Sequence, residues 1–174
     1  MSRPRAVFFD RDGTLMKEVC YCSDPRQVEV YPGIPEALRK LREAGFRTFI
    51  VTNQSGIGRG LMTEQQYRNV EREVLRQIGE DSIDASYFCS DAPGIPSARR
   101  KPEPGMVLEA AAAFDIDLAN SWFIGDKALD SECGRSAGTR TILVLTGYGR
   151  EQRDCNPDFT AESAVEAIQR VLEP

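Results

Sequence analysis

Three aspartates stand where two apolar runs of the chain end. Asp10 and Asp12 follow the run Ala6–Phe9, and Asp126 follows the run at 121–125. Magnesium prefers oxygen ligands, and one or two carboxylates usually hold it. An ionised aspartate is also a competent nucleophile toward phosphorus. The pattern therefore predicts metal-assisted phosphoryl transfer, in which Asp10 and Asp126 supply carboxylates to Mg²⁺.

Neutral and cationic side chains also follow runs of this kind. The set consists of Thr52, Asn53, Gln54, Ser55, Arg100, Lys101 and Lys127. A phosphate ester resists attack by an anion unless its negative oxygens are neutralised, which Mg²⁺ and a lysine can do. Taken alone, residues 52–60 also fit a glycine-rich turn, and the basic run at 99–101 also fits a solvated surface.

The choice of general acid and base is narrow because the chain has no histidine. Ser-His-Asp and Cys-His triads and histidine-containing metal sites are therefore excluded. If Arg11 points away, as strand alternation suggests, Asp12 lies beside Asp10. A carboxyl group there can protonate a leaving alcohol and later accept a proton from water.

The elements that position these residues alternate along the chain. Strands are predicted at Ala6–Phe9, 46–52, 85–90, 121–125 and 141–145. Helices are predicted at 34–44, after a Thr63–Gln66 capping box, at Gly105–Phe114, at Ala128–Ala137 and at 161–172. This alternation predicts a single α/β domain over residues 1–174, a Rossmann-like doubly wound parallel sheet with helices on both faces.

Ligands of such a sheet lie beyond the carboxyl ends of its strands, so the polar segments should meet at one edge. The segments DRDGTL (10–15), TNQSG (52–56), RKP (100–102) and GDK (125–127) with Asp130 resemble the four motifs of the haloacid dehalogenase superfamily of phosphatases. They are most similar to its small uncapped branch, which acts on heptose bisphosphate and on histidinol phosphate. The resemblance covers about residues 6–148 and implies a fold without a large cap domain.

The resemblance also implies roles for individual residues. Asp10 would be the nucleophile and a magnesium ligand, and Asp126 would complete the magnesium site with support from Asp130 or Lys127. Asp12 would be the general acid and base, with its backbone carbonyl on the metal. Thr52 and Lys101 would hold the transferring phosphoryl group. The substrate pocket would be lined by Tyr21, Asn53, Gln54, Ser55, Arg100 and Lys127.

The sequence departs from this branch of the family at a zinc-binding loop. Cys89 stands in the first ligand position, but Asp91 replaces the expected histidine, and residues 90–99 contain no cysteine. One thiolate cannot form a tetrahedral structural site, so we predict that zinc is absent. Heptose bisphosphate, dephosphorylated at its 7-position, is the leading substrate candidate. Histidinol phosphate, another sugar phosphate, or a non-catalytic phosphate-binding role are the alternatives.

Composition restricts the partners and the compartment. The formal charge of −5 argues against nucleic acid and anionic membranes as partners. The five irregularly spaced cysteines are typical of a reducing compartment, and no apolar run is long enough to span a membrane. We therefore expect a cytoplasmic, monomeric enzyme that acts on a small phosphorylated metabolite.

Overall fold

The structure, a computed structural model, describes residues 3–173, so residues 1, 2 and 174 of the predicted domain lie outside the described part. Its centre is a six-stranded sheet of order β3-β2-β1-β4-β5-β6, in which every neighbouring pair is parallel. The strands are β1 (Ala6–Phe9), β2 (Arg47–Asn53), β3 (Ala85–Cys89), β4 (Trp122–Gly125), β5 (Arg140–Val144) and β6 (Phe159–Ala161). The predicted doubly wound parallel sheet is confirmed.

In the part of the chain that the structure describes, six α-helices accompany the strands. They are α1 (Ile34–Glu43), α2 (Ser55–Gly58), α3 (Glu64–Ile78), α4 (Gly105–Phe114), α5 (Ala128–Ala137) and α6 (Ala164–Leu172). The predicted capping box opens α3, because the Thr63 hydroxyl accepts from the Gln66 N–H while the Gln66 side chain accepts from the Thr63 N–H. Two orphan amides of the first turn are thereby satisfied.

Alternation along β1 assigns the helices to the two faces of the sheet. Val7 and Phe9 pack in one cluster with α1, α3 and α6, whereas Ala6 and Phe8 pack in another with α4 and α5. All four side chains are fully buried. Burial of one Val or Phe side chain contributes about 1.5–3 kcal/mol, so the two clusters fix the sheet between its helical layers.

Two short elements, β6 and α2, are not predicted by the sequence pattern. The last predicted helix, at 161–172, begins only at Ala164, where the Ser163 side chain accepts from the Glu166 N–H. Residues just before it form the edge strand β6, which is three residues long and has one buried position. Helix α2 spans four residues, within the segment 52–60 that also fits a glycine-rich turn. Elements this short lack the repeat on which a periodicity argument depends.

The strand order reverses between β1 and β4, which lie side by side at the centre of the sheet. A crevice opens at such a switch point, beyond the carboxyl ends of the strands. Asp10 follows β1 and Asp126 follows β4, so both stand at this crevice. Among the described helices, none has the length and hydrophobicity required to cross a membrane.

Candidate active site

A pocket of about 240 Å³ lies at the carboxyl edge of the sheet. That volume is below the roughly 300–1,000 Å³ of sites for drug-sized ligands, which suits a small metabolite. Ten of the residues predicted for the site line it: Asp10, Asp12, Tyr21, Thr52, Asn53, Gln54, Ser55, Arg100, Lys101 and Lys127. Asp126 does not line the pocket; it is fully buried and presents a carboxylate oxygen within 4.8 Å of one from Asp10.

The ammonium group of Lys101 is the central cation of the site. Its Nζ donates to Asp10 Oδ1 at 2.9 Å, to Asp130 Oδ1 at 2.7 Å and to the Val51 carbonyl at 2.8 Å. These bonds account for all three of its protons. Burial lowers the pKa of Lys101, but the charges of Asp10 and Asp130 outweigh burial and the pKa rises. Lys101 therefore stays cationic although it is only 2% exposed.

Asp10, Asp126 and Asp130 form a buried group of three carboxylates. Both Asp130 oxygens are already engaged, one by Lys101 and the other by the Lys127 N–H at 3.0 Å. Asp126 Oδ2 accepts from the Tyr148 N–H at 2.8 Å, whereas Asp126 Oδ1 is buried without a hydrogen-bond partner. An unpartnered buried carboxylate oxygen is costly, and a divalent cation removes that cost. The residues therefore fit Mg²⁺, with Asp126 Oδ1 as the available ligand atom and Asp130 in support.

The three carboxylates differ in their electrostatics. Burial raises the pKa of Asp10, but Lys101 and Lys127 outweigh burial, so this pKa lies below its ordinary value. Burial and the charges of Asp10 and Asp130 raise the pKa of Asp126 to about 8. Burial, which Lys101 only partly offsets, raises the pKa of Asp130 to about 6. Asp10 is thus held ionised, and Asp126 carries a proton near neutral pH unless a cation displaces it.

Two glycines allow the backbone to approach Asp126. Gly13 and Gly147 both have positive φ, at +82° and +53°, and a Cβ at either position would collide with the Asp126 carboxylate. The two loops are also joined directly, since the Thr146 hydroxyl donates to the Gly13 carbonyl at 2.6 Å. The segments after β1, β4 and β5 therefore meet around one carboxylate.

The Asp12 carboxylate is held by two side chains. Gln54 Nε2 donates to Asp12 Oδ2 and to Thr52 Oγ1, both at 2.9 Å. Arg11 does not line the pocket, but its Nε and Nη2 donate to the two Asp12 oxygens at 3.2 Å each. The Asp12 side chain is 13% exposed and still borders the pocket. Gln54 thus contacts the candidate acid rather than serving only as pocket lining.

Asn53 fixes the segment that carries Lys101. Its side-chain oxygen accepts from the Lys101 N–H and its Nδ2 donates to the Lys101 carbonyl, both at 3.0 Å. Arg100 Nη1 donates to the Asp91 carbonyl at 2.9 Å. At the end of β3, the Cys89 Sγ lies 3.4 Å from Asp91 Oδ2 and 3.7 Å from Ser97 Oγ, both in the loop that leads to Arg100. Hydrogen bonds therefore order this loop.

The outer part of the pocket includes residues that the sequence analysis did not select. Glu18 and Tyr148 line it, and both contact Lys127: the Nζ lies 3.5 Å from Glu18 Oε2 and 5.0 Å from the Tyr148 ring centroid. Burial raises the pKa of Glu18. Tyr21, which is 37% exposed, also lines the pocket. Tyr148 follows β5, so the strand-end rule applied to that strand would have identified it.

Two protein-family models match the chain. One, described as haloacid dehalogenase-like hydrolase, matches residues 7–81, and another, described as HAD-hydrolase-like, matches residues 98–167. The chain belongs to the haloacid dehalogenase-like hydrolase family, and the resemblance of its four motifs is confirmed.

The relatives and neighbours of the chain are more specific. It is 36% identical to a D-glycero-D-manno-heptose-1,7-bisphosphate 7-phosphatase of Chlorobaculum tepidum, over 97% of this chain and 94% of that protein. It is 37% identical to a D-glycero-beta-D-manno-heptose-1,7-bisphosphate 7-phosphatase of Rhodopseudomonas palustris, over 79% of this chain and 82% of that protein. The crystal structure of D,D-heptose 1,7-bisphosphate phosphatase from B. bronchiseptica, complexed with magnesium and phosphate, is 28% identical, with a TM-score of 0.89 over 97% and 98%.

Proposed function

We propose that this protein removes the 7-phosphate of D-glycero-D-manno-heptose 1,7-bisphosphate, through an aspartyl-phosphate intermediate and with Mg²⁺. The observation that carries the proposal is that Asp10 and Lys101 meet at the pocket, with Asp126 and its unpartnered Oδ1 buried next to Asp10. The identity of 36% over 97% of the chain to a phosphatase of this name supports the substrate.

Asp10 would be the nucleophile. Its low pKa keeps the carboxylate ionised, and Lys101 fixes one of its oxygens at 2.9 Å. A carboxylate oxygen of Asp10 attacks phosphorus, and the bond from phosphorus to the sugar oxygen breaks. Water then attacks the phosphorus of the aspartyl phosphate, which releases inorganic phosphate and restores the Asp10 carboxylate. Thr52, which also lines the pocket, would contact the transferring phosphoryl group.

Asp12 would move the protons of both steps. It donates a proton to the sugar oxygen as that group leaves, and it accepts one from the attacking water. Its place on the pocket wall, between Arg11 and Gln54, supports this assignment.

Asp10 and Asp126 would hold Mg²⁺, together with the Asp12 backbone carbonyl. When bound, the cation neutralises the charge of the phosphoryl oxygens. Asp130 would keep Lys101 and the start of α5 in place, since it is bonded to the Lys101 ammonium and to the Lys127 N–H. The substrate beyond the phosphoryl group would contact Tyr21, Asn53, Gln54, Ser55, Arg100 and Lys127.

Further features complete the proposal. Residues 1–174 would form one domain of a cytoplasmic monomer that binds neither nucleic acid nor membrane, in keeping with the net charge of −5. Zinc would be absent. Within residues 3–173, the only three or more Cys, Asp or Glu side chains whose ligand atoms lie within 4.8 Å of one another are Asp10, Asp126 and Asp130. Elemental analysis of the purified protein for zinc tests this point.

The test is phosphate release from a panel of phosphate esters in the presence of Mg²⁺. The panel contains both anomers of heptose 1,7-bisphosphate, histidinol phosphate and other sugar phosphates. Preferred turnover of a heptose bisphosphate, lost in Asp10→Asn, is expected. Preferred turnover of another member of the panel would show that heptose bisphosphate is not the substrate. Unchanged turnover in Asp10→Asn would exclude Asp10 as the nucleophile. Mg²⁺-dependent binding without hydrolysis would indicate a phosphate-binding protein instead.

A further inference from the structure

Within residues 3–173, Arg11 is the largest fully buried side chain, and the chemistry described so far does not use it. It stands between the two aspartates of the first motif, with no exposed side-chain surface. A buried guanidinium must be paired, because an isolated charge in the interior is very costly. The partners of the Arg11 guanidinium therefore indicate which groups this residue holds in place.

Its guanidinium group forms a fork with Asp12. Nε and Nη2 donate to the two different oxygens of the Asp12 carboxylate. Two parallel bonds of this kind fix the plane of a carboxylate as well as its position. Gln54 adds one further bond, to Oδ2 alone.

The other side of Arg11 is anchored on α3. Nη1 donates to Glu71 Oε2 at 3.2 Å, and the guanidinium carbon lies 5.3 Å from the centroid of the Tyr67 ring. Both α3 residues are nearly buried, and Tyr67 packs on Phe88 with ring centroids 4.4 Å apart. Burial lowers the pKa of Arg11, but Asp12 and Glu71 outweigh burial and raise it, so the group stays cationic. The fork on Asp12 is therefore held by a rigid element of the fold.

We propose that Arg11 is a positioning residue, which holds the Asp12 carboxyl group where it can protonate the leaving oxygen of the substrate. The inference rests on the function proposed above, in which Asp12 is the general acid. Lysine at this position keeps a positive charge but cannot form the fork, since its ammonium group is a single point of donation. A misplacement of about 1 Å can cost about 100-fold in rate.

The test compares leaving groups. Protonation of the leaving oxygen matters for a sugar phosphate, whose alkoxide is a poor leaving group, and matters little for p-nitrophenyl phosphate. The measured quantity is the ratio of kcat/KM for the sugar phosphate to kcat/KM for p-nitrophenyl phosphate. Both values come from one protein preparation, so partial unfolding of a variant cancels in the ratio. Because kcat/KM reports only steps up to release of the alcohol, later hydrolysis of the aspartyl phosphate does not affect it.

In Arg11→Lys and in Arg11→Gln, we expect the ratio to fall by about 10- to 100-fold. Asp12→Asn should lower the ratio at least as much, and adding Arg11→Lys to Asp12→Asn should lower it no further. The matched control is Arg42→Lys. Arg42 also pairs with an aspartate, Asp84, at 2.8 Å, but does not line the pocket, so this variant should leave the ratio unchanged.

Two failures can be told apart. If Asp12→Asn lowers the ratio but the Arg11 variants do not, the role of Arg11 is wrong and the acid role of Asp12 stands. An Arg11→Lys effect that adds to that of Asp12→Asn also overturns the role of Arg11. If Asp12→Asn itself lowers both kcat/KM values equally, the acid assignment in the proposed function is wrong, and the role of Arg11 falls with it.

Discussion

Binding of Mg²⁺ should depend steeply on pH, because Asp126 must lose a proton to serve as a ligand. Burial and the charges of Asp10 and Asp130 raise its pKa to about 8. Metal ligands must be deprotonated, so the cation and the proton compete for the same carboxylate. The affinity for Mg²⁺ should therefore be highest above pH 8 and fall on the acid side.

The magnitude follows from that pKa. Each pH unit below about 8 should weaken binding tenfold, which is about 1.4 kcal/mol. At pH 7 the affinity should thus be about tenfold below its plateau, with about 0.9 proton released per Mg²⁺ bound, against about 0.1 proton at pH 9. Below pH 6 the decline should steepen, because the pKa of Asp130 is raised to about 6.

Isothermal titration calorimetry with MgCl₂ measures both quantities. Titrations from pH 6.5 to 9, in pairs of buffers with different ionisation enthalpies, give the affinity and the number of protons released. In Asp130→Asn the pH midpoint should move down, since a charge that raises the pKa of Asp126 is removed. An affinity that is constant from pH 6.5 to 9, without proton release, would refute the electrostatic account of the cluster.

Three other predictions concern stability and metal binding. Gly13→Ala should weaken Mg²⁺ binding and destabilise the fold by about 1–3 kcal/mol in urea unfolding, since its Cβ meets Asp126. The control is Gly45→Ala, at a similar φ of +83° but with no atom within 4 Å of the added Cβ, so it should lose only the stability that the unfavourable backbone conformation costs. An equal loss of stability in the two variants would contradict the predicted collision with Asp126. Lys101→Met should cost about 3–5 kcal/mol in urea unfolding, because two buried carboxylates lose their cation; a loss below 1 kcal/mol would contradict this account. In EDTA, the wild-type free energy of unfolding should fall by about 2 kcal/mol from pH 6 to 8, since only the folded state keeps the Asp126 proton. No histidine titrates in that range, so in Asp126→Asn only the smaller slope from Asp130, whose pKa is raised to about 6, should remain.

The position of the site could be predicted from the sequence because parallel strands all end at one edge. This rule places Asp10, Thr52 and Asp126 together without any knowledge of their contacts. The bond from Gln54 to Asp12 could not be predicted, because it depends on how two loops approach each other.

The contacts of Arg11 could not be predicted for a different reason. Strand alternation does not govern residues 10–12, because β1 ends at Phe9. Its partners Tyr67 and Glu71 lie on the buried side of α3, where the sequence indicates core packing. The edge strand β6 was missed because its three residues merge with the apolar pattern of the following helix.

The hydrogen bonds of the Lys101 ammonium have a consequence for the whole reaction cycle. Its three protons point to fixed oxygens, none of which belongs to the segment that carries Lys101. A new partner can be reached only if one of these bonds is shared or broken. Its positive charge is thus stationary while phosphorus moves from one oxygen to the next, and an environment that does not rearrange adds no reorganisation energy to the barrier.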